Sequence, residues 1–127
     1  MHKKVKDLSA KRIKYLIEKE IPFYKWNKTY VDWLKWEIEE AIVEIKDNNS
    51  IHLEDELWDV FWTYLCLLHS LEDEWKITSV EKIFERCYNK FGERVWFDWK
   101  WWYEWDKVKT KQKEELKKEH DKLYWNK

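Results

Sequence analysis

The sequence predicts an all-α fold, a bundle of four to five helices built on an antiparallel helical hairpin. Only one glycine and one proline occur among 127 residues, and 40% of the residues are charged, a composition that suits long helices with solvated faces. Apolar residues recur at intervals of three and four over most of the chain, and capping residues stand before several of these runs. The sequence contains no segment with the alternating pattern of a strand.

The first helix is predicted over residues 8–20. Ile13, Leu16 and Ile17 form its apolar face. The helix must end before Pro22, because the residue that precedes a proline disfavours helical geometry. Residues 22–28 are expected to form a loop.

A helical hairpin is predicted to follow this loop. Thr29, with Asp32 three positions later, resembles a capping box and opens the second helix, which runs to about Asp47. After a turn over residues 47–50, Ser50 is the expected N-cap of the third helix. The apolar stripes that should be buried are Val31, Leu34, Ile38, Ala41, Ile42 and Ile45 on the second helix, and Leu53, Leu57, Val60, Phe61, Tyr64, Leu67, Leu68 and Leu71 on the third.

Two further helices are predicted in the C-terminal part of the chain. Thr78 and Glu81 form a second capping-box pattern, which opens a fourth helix that Gly92 is expected to end. Residues 108–123 are rich in lysine and glutamate and predict a fifth, largely solvated helix. We therefore expect a single domain over residues 1–127, with its core at about 8–97 and a tryptophan-rich, charged helical extension at about 98–127.

Tryptophan is unusually frequent: the chain has twelve, and five of them fall within residues 96–105. Such a segment suits an interfacial membrane anchor, a stacking platform for single-stranded nucleic acid, or a subunit interface. The formal net charge of −1 disfavours the first two, because it provides no general attraction to anionic partners. We expect the segment to cover the core or to join subunits, and we expect neither nucleic acid nor membrane as a partner.

The sequence also indicates where the protein is located. The longest apolar stretch, around residues 57–71, is interrupted by Asp59 and His69 and is too polar for a membrane span. The N-terminal residues lack the apolar core of a signal peptide, so a cytoplasmic protein is expected. Cys66 and Cys87 fall within helical patterns and are expected to be reduced thiols.

Two pairs of carboxylates carry the strongest functional signal. Glu37 and Glu40 lie three residues apart on the second predicted helix, and Glu56 and Asp59 have the same spacing on the third. A step of three residues returns a side chain to the same helix face, so each helix offers two oxygen ligands side by side. Four carboxylates repel one another unless a cation cancels the repulsion, and Mg²⁺ is the usual ion for such oxygen ligands.

The helical wheel supports a shared acidic margin. On both helices the acidic row lies about 110–120° from the apolar stripe, taking 100° per residue, so two antiparallel helices packed through their stripes would place the rows side by side. The alternative is that these residues are ordinary surface charges, since the chain has 26 acidic residues. The matching offsets on two helices, on either side of a short turn, favour a metal site.

The same residues resemble a known family, the MazG-type all-α nucleoside triphosphate pyrophosphohydrolases. Their signature is Glu-Glu-x-x-Glu, a spacer, and then Glu-x-x-Asp. In this chain residues 36–40 read Trp-Glu-Ile-Glu-Glu, and residues 56–59 read Glu-Leu-Trp-Asp. The loop at 21–29 and the helix at 81–91 also resemble the family's flanking segments, so the resemblance covers about residues 21–97.

The resemblance implies Mg²⁺-dependent, or alternatively Mn²⁺-dependent, hydrolysis of a ribo- or deoxyribonucleoside triphosphate to the monophosphate and pyrophosphate. A role in removing non-canonical nucleotides and assembly as a homodimer or homotetramer would accompany it. The implied catalytic metal ligands are Glu37, Glu40, Glu56 and Asp59. The implied substrate-binding residues are Lys82, Arg86 and Asn89, with Lys25 as a further candidate. Trp33 lies one turn before Glu37 on the same helix face, where it could stack on a nucleobase.

One position departs from the family signature: Trp36 stands where the family has its first glutamate. Two alternatives to an active enzyme therefore stay open. One is a member that binds metal and nucleotide but has lost turnover. The other is a non-catalytic helical interaction protein that binds partners through its tryptophan-rich surface.

Overall fold

The computed structural model describes residues 1–95 and 102–124, with side chains described from residue 104 onward in the second range. Residues 96–101, which make up most of the tryptophan-rich segment, lie outside the described residues. All regular secondary structure in the described ranges is helical, which confirms the predicted all-α class. The helices are α1 (His2–Glu18), α2 (Asn27–Val43), α3 (Ser50–Asp73), α4 (Val80–Arg94) and α5 (Trp102–Tyr124).

The chain divides into two compact units, Met1–Val80 and Glu81–Lys127. The single domain expected from the sequence stays a prediction. None of the helices in the described ranges combines the length and the hydropathy that a membrane span requires.

The first unit is built on the pairing of α2 with α3, and α1 packs against α3 as well. The connection between α2 and α3 occupies only residues 44–49, so the two helices form the predicted hairpin. The Asn49 side chain closes this turn by donating to the backbone carbonyl of Glu44 at 2.9 Å. The buried cluster at the centre of the unit comprises Ile13, Leu16, Tyr24, Tyr30 and Cys66.

The loop between α1 and α2 is fastened at its C-terminal end by Thr29. This residue lies inside α2 rather than at its N-cap, so the predicted capping box is wrong. Its hydroxyl is buried, donates to the carbonyl of Phe23 at 3.1 Å, and accepts from the backbone N–H of Lys25 at 2.7 Å. Thr29 therefore bonds back into the loop instead of to the first turn of the helix.

Three further hydrogen bonds tie the loop and the start of α2 to the C-terminal end of α3. The Tyr24 hydroxyl donates to the Ser70 hydroxyl at 2.8 Å in the interior of the unit. Asn27 donates both its backbone N–H and its side-chain amide to the Glu74 carboxylate, at 3.1 and 2.8 Å. The loop is thus held by side chains at several points along its length.

Much of the apolar stripe predicted for α2 is not buried within the chain. Ala41 is 5% exposed, whereas Ile38, Ile42 and Ile45 are 44%, 58% and 65% exposed. On α3, Leu57 is also half exposed. The prediction failed here because periodicity identifies an apolar face but not whether the same chain covers it.

The second unit contains α4 and α5, which are joined by side-chain bonds. Arg94 is buried and donates from Nε to the Gln112 side-chain carbonyl at 2.8 Å, and Gln112 in turn donates to the backbone carbonyl of Lys90 at 3.1 Å. Gly92 lies inside α4, so the predicted helix end at this residue is wrong. The helix continues to Arg94, whose side chain anchors its last turn.

Candidate functional site

The hairpin of the first unit brings carboxylates from two helices together. Glu37 on α2 and Glu56 and Asp59 on α3 each present an oxygen, and these three oxygens lie within 4.8 Å of one another. The two helices pack side by side, and the three-residue step from Glu56 to Asp59 keeps both on one face of α3. Their role as metal ligands stays a prediction.

Glu40 lies at the edge of this group. It is not among the three residues whose oxygens meet within 4.8 Å. Its charge nevertheless acts on Glu37, Glu56 and Asp59 and contributes to the raised pKa of each. All four predicted carboxylates therefore belong to one electrostatic cluster, which we call the acidic cluster.

Three members of the acidic cluster, Glu37, Glu56 and Asp59, have raised pKa values. Burial is the largest cause of the raised pKa of both Glu37 and Glu56, and neighbouring carboxylates come next. For Glu37 the strongest of these neighbours is Asp59, and for Glu56 it is Glu40. Burial also raises the pKa of Asp59, helped by Asp55 and Glu40. Within residues 1–95 and 102–124 none of the four acidic-cluster carboxylates forms an ion pair. No basic side chain in these described ranges therefore compensates the like charges.

Two oxygens of the acidic cluster test whether a cation fits. Oε2 of Glu37 and Oε2 of Glu56 are buried and have no hydrogen-bond partner among the described residues. A buried acceptor without a donor costs about 1–3 kcal/mol, and a bound cation would remove that cost. Carboxylate oxygens are hard ligands, which suit Mg²⁺, Mn²⁺ or Ca²⁺ rather than softer metals. The donor set thus fits a hard divalent ion.

A cleft of about 340 Å³ opens beside the acidic cluster. Glu37 and Asp59 line it together with the hydroxyl-bearing Thr63 of α3. The rest of its wall is mostly aromatic and is formed by Phe23, Tyr30, Trp33 and Trp62. Carboxylates that can hold a cation and rings that can stack on a planar group therefore share one concave space.

Trp33 occupies the position expected of a stacking residue. It is 38% exposed and lines the cleft. One side of its ring is supported by Phe23, which stacks at 5.4 Å with an interplanar angle of 25°, and Tyr30 meets it edge-on at 5.4 Å. These contacts fix the Trp33 ring before any ligand arrives. Its role in base binding stays a prediction.

The predicted phosphate-binding residues are distributed over both units. Lys25 is exposed in the loop of the first unit, and only its backbone N–H has a described role. In the second unit, Lys82 pairs with Glu85 at 3.2 Å, and Asn89 is exposed on α4. The participation of these residues in the site stays a prediction.

Arg86 forms a two-bond ion pair within the second unit. Its guanidinium donates to both carboxylate oxygens of Glu119 on α5, at 3.0 and 2.7 Å. The hydrogen bond to Glu119 raises the pKa of Arg86, and the same bond lowers the pKa of the Glu119 carboxyl. A part for Arg86 in substrate binding likewise stays a prediction.

Sequence reasoning missed several residues of the cleft. Arg12 of α1, Phe23 of the loop and Trp62 of α3 all line it. Only Thr63 carried a usable signal, since it continues the row of Glu56 and Asp59 along α3. Arg12 and Phe23 reach the cleft through the packing of α1 and the fold of the loop, which local spacing does not reveal.

Comparison with known proteins assigns the chain to a family. A family model described as the MazG nucleotide pyrophosphohydrolase domain matches residues 26–96, which is more than half of the chain. The match includes both carboxylate pairs and all of α4. No curated protein and no solved structure matches the chain. On the strength of this match, together with its all-α fold, the chain belongs to the MazG nucleotide pyrophosphohydrolase family.

Proposed function

We propose that this protein hydrolyses a ribo- or deoxyribonucleoside triphosphate to the monophosphate and pyrophosphate in a reaction that depends on Mg²⁺. The observation that carries the proposal is the meeting of Glu37, Glu56 and Asp59 within 4.8 Å. That cluster opens into an aromatic cleft in a chain of this family. A role in removing non-canonical nucleotides would be consistent with this activity.

The four carboxylates of the acidic cluster would hold the metal. A bound Mg²⁺ would supply positive charge to offset the phosphate oxygens and Lewis-acid activation of water for attack on phosphorus. Glu37 and Glu56 would supply the buried oxygens that have no partner in the described part of the chain. A carboxylate oxygen of the acidic cluster that does not contact the ion would accept the proton of the attacking water.

The remaining substrate groups would be bound by aromatic and basic side chains. Trp33 would stack on the nucleobase, because its ring is held in the cleft beside the acidic cluster. Lys82, Arg86 and Asn89 would bind the triphosphate, with Lys25 as a further contact. For Arg86 this requires that phosphate oxygens replace the Glu119 carboxylate, a substitution that preserves its two-bond geometry.

The protein is also expected to assemble as a homodimer or homotetramer, as the resemblance implies. Trp36 and Ile42 of α2, and Ile45 just after this helix, are more than half exposed, and Leu57 and Trp58 of α3 are about half exposed. A second copy of the hairpin would remove this apolar surface from water. Light scattering at several concentrations measures the assembly, and a strictly monomeric protein would contradict it.

The direct test is pyrophosphate release from a panel of ribo- and deoxyribonucleoside triphosphates. We expect release with Mg²⁺ or Mn²⁺ and none after chelation of the metal with EDTA. Monophosphate and pyrophosphate should appear in equal amounts, which distinguishes this cleavage from release of the terminal phosphate. Absence of pyrophosphate with every nucleotide, from a protein of intact helicity, would rule the activity out.

Trp36 favours one alternative, a member that binds metal and nucleotide without turnover. Because a tryptophan stands where the family has a glutamate, this position supplies no carboxylate to the acidic cluster. The Trp36 residue is 63% exposed. Restoring the acid in Trp36→Glu distinguishes the two cases. An active wild type should change little, whereas an inactive wild type that gains pyrophosphate release in the variant would support the alternative.

A further inference from the structure

A positively charged side chain from α1 lines the cleft. This residue is Arg12, and it lies there together with Trp33, Glu37 and Asp59. The guanidinium carbon of Arg12 lies 5.9 Å from the ring centroid of Phe23 and 5.8 Å from that of Tyr15 on its own helix. Two ring faces thus hold the guanidinium in place.

The donors of Arg12 are not used by the part of the chain that the structure describes. Neither an ion pair nor a hydrogen bond joins its side chain to residues 1–95 or 102–124. Arg94 offers the contrast, because its guanidinium also lies near rings but donates to Gln112. Arg12 therefore combines a fixed position with five N–H groups that can face a ligand.

Arg12 belongs to the aromatic side of the cleft. Its guanidinium carbon lies over the Phe23 ring, and that ring in turn stacks on Trp33 at 5.4 Å. Burial raises the pKa of the Tyr30 hydroxyl, which lies in the same wall, and Arg12 opposes that shift. A ligand whose phosphates lie at the acidic cluster would present its base, not its phosphates, to Arg12.

The geometry of a guanidinium selects among nucleobases. It is a planar fork of donors without an acceptor, so it binds best to two adjacent acceptors. Guanine offers such a pair at O6 and N7, whereas adenine places an N6–H₂ donor beside N7. Cytosine has adjacent acceptors at O2 and N3, whereas uracil and thymine carry an N3–H between their two carbonyls. Only guanine and cytosine therefore match both arms of the fork.

We propose that Arg12 reads the nucleobase by donating two hydrogen bonds to adjacent acceptors, so that guanine and cytosine nucleotides are preferred over those of adenine, uracil and thymine. The inference rests on the proposed function, because it requires a nucleotide whose phosphates lie at the acidic cluster. Trp33 would stack on the face of the base while Arg12 binds its edge. The base would then be recognised from two perpendicular directions.

The first test compares kcat/KM for dGTP, dCTP, dATP and dTTP in wild type, Arg12→Met and Arg12→Lys. Arg12→Met keeps an unbranched side chain against the rings, and Arg12→Lys keeps the charge but loses the fork. A two-bond contact to a base is worth about 1–3 kcal/mol, which corresponds to roughly 5–150-fold. Both variants should lose that factor for dGTP and dCTP and change by less than about threefold for dATP and dTTP.

The matched control is Lys14→Met on the same helix, whose side chain is 75% exposed and pairs only with Glu18 at 3.9 Å in the described structure. It should leave all four values unchanged. A uniform fall with every nucleotide in Arg12→Met would show that Arg12 binds phosphate and would overturn the proposal. Unchanged base preference in this variant would overturn it as well.

A binding measurement separates this inference from the proposed function. Calorimetric titrations with GMP, CMP, AMP and UMP probe the base, and titration with inorganic tripolyphosphate and Mg²⁺ probes the acidic cluster. Arg12→Met should weaken GMP and CMP binding and leave tripolyphosphate binding unchanged. If the wild type releases no pyrophosphate but Arg12→Met still weakens GMP and CMP binding in this way, the proposed hydrolysis would be rejected and the role of Arg12 would be supported. Weaker tripolyphosphate binding, or a wild type that binds none of the monophosphates, would overturn the role of Arg12.

Discussion

The first unit gathers charges of like sign at Glu37, Glu56 and Asp59, whereas the second unit pairs opposite charges, as Arg86 does with Glu119. The pKa shifts have opposite consequences in the two places. Burial and neighbouring carboxylates raise the pKa of Glu37, Glu56 and Asp59, which disfavours their ionised form. The hydrogen bond between Arg86 and Glu119 shifts both of their pKa values so that the charged forms are favoured.

This difference separates charges that stabilise the fold from charges that lower its stability. An ion pair between two helices adds a contact, although a modest one at an exposed position. Ionised carboxylates brought together with unpartnered buried oxygens add repulsion and desolvation instead. A cluster of this second kind is a candidate for function, because a ligand can satisfy what the protein leaves unsatisfied. The predictions below test this contrast, from the largest expected effect to the smallest.

Removing one charge from the acidic cluster should have the largest effect. We expect Glu40→Gln or Asp59→Asn to reduce pyrophosphate release by at least about a thousandfold, because loss of a metal ligand removes several kcal/mol of transition-state stabilisation. Pyrophosphate assays measure the loss, and circular dichroism should show unchanged helicity. The control Glu39→Gln removes an exposed neighbouring charge and should be fully active. Turnover retained in both acidic-cluster variants would contradict the site.

Arg86 tests whether a paired charge can also serve the substrate. Arg86→Gln should lower kcat/KM by about 10–100-fold if two hydrogen bonds to phosphate are lost. Glu119→Gln breaks the same ion pair but keeps the cation, so its activity should equal or exceed that of wild type. An equal fall in both variants would mean that the pair only holds α4 to α5.

Divalent cation should stabilise the protein through the acidic cluster. At a Mg²⁺ concentration of 100 times its Kd, linkage predicts about 2.7 kcal/mol of added stability. Differential scanning calorimetry should therefore show a higher Tm with Mg²⁺ than with EDTA. Asp59→Asn should lose most of this increase, whereas Glu39→Gln should keep it. An identical response in Asp59→Asn and wild type would place the ion elsewhere.

The metal-free protein should depend on pH in a direction set by the acidic cluster. Because the pKa values of Glu37, Glu56 and Asp59 are higher in the folded state than in the unfolded chain, the folded state binds more protons. The free energy of unfolding should therefore fall as pH rises through those raised pKa values. Mg²⁺, which binds the ionised carboxylates, should reverse the loss at neutral pH.

Glu37→Gln isolates this pH effect. Burial lowers the pKa of His69, which by itself makes the protein less stable as pH falls through the histidine range and so opposes the slope of the acidic cluster. Both proteins contain His69, so its contribution cancels when the free energy of unfolding of Glu37→Gln is subtracted from that of wild type at each pH. Denaturant titrations at several pH values measure these free energies. The same slope in both proteins would mean that Glu37 ionises normally.

The sequence predicts the all-α class, the hairpin and the positions of the carboxylates because these depend on local spacing. Glu37, Glu56 and Asp59 could be found from three-residue steps on two neighbouring helices. Arg12 could not, because its side chain reaches the cleft only through the packing of α1 against α3. Local spacing also misplaced the end of α4, which continues past Gly92 to Arg94, a residue whose side chain donates to Gln112 of α5.

The two walls of the cleft are held in place by different parts of the fold. The carboxylates belong to the paired helices, whereas Phe23 belongs to a loop fastened separately through Tyr24, Asn27 and Thr29. Replacing the ring at position 23 would therefore disturb few of the bonds that hold the acidic side. Substitutions in this loop can therefore reshape the aromatic wall of the cleft while the carboxylates keep their positions.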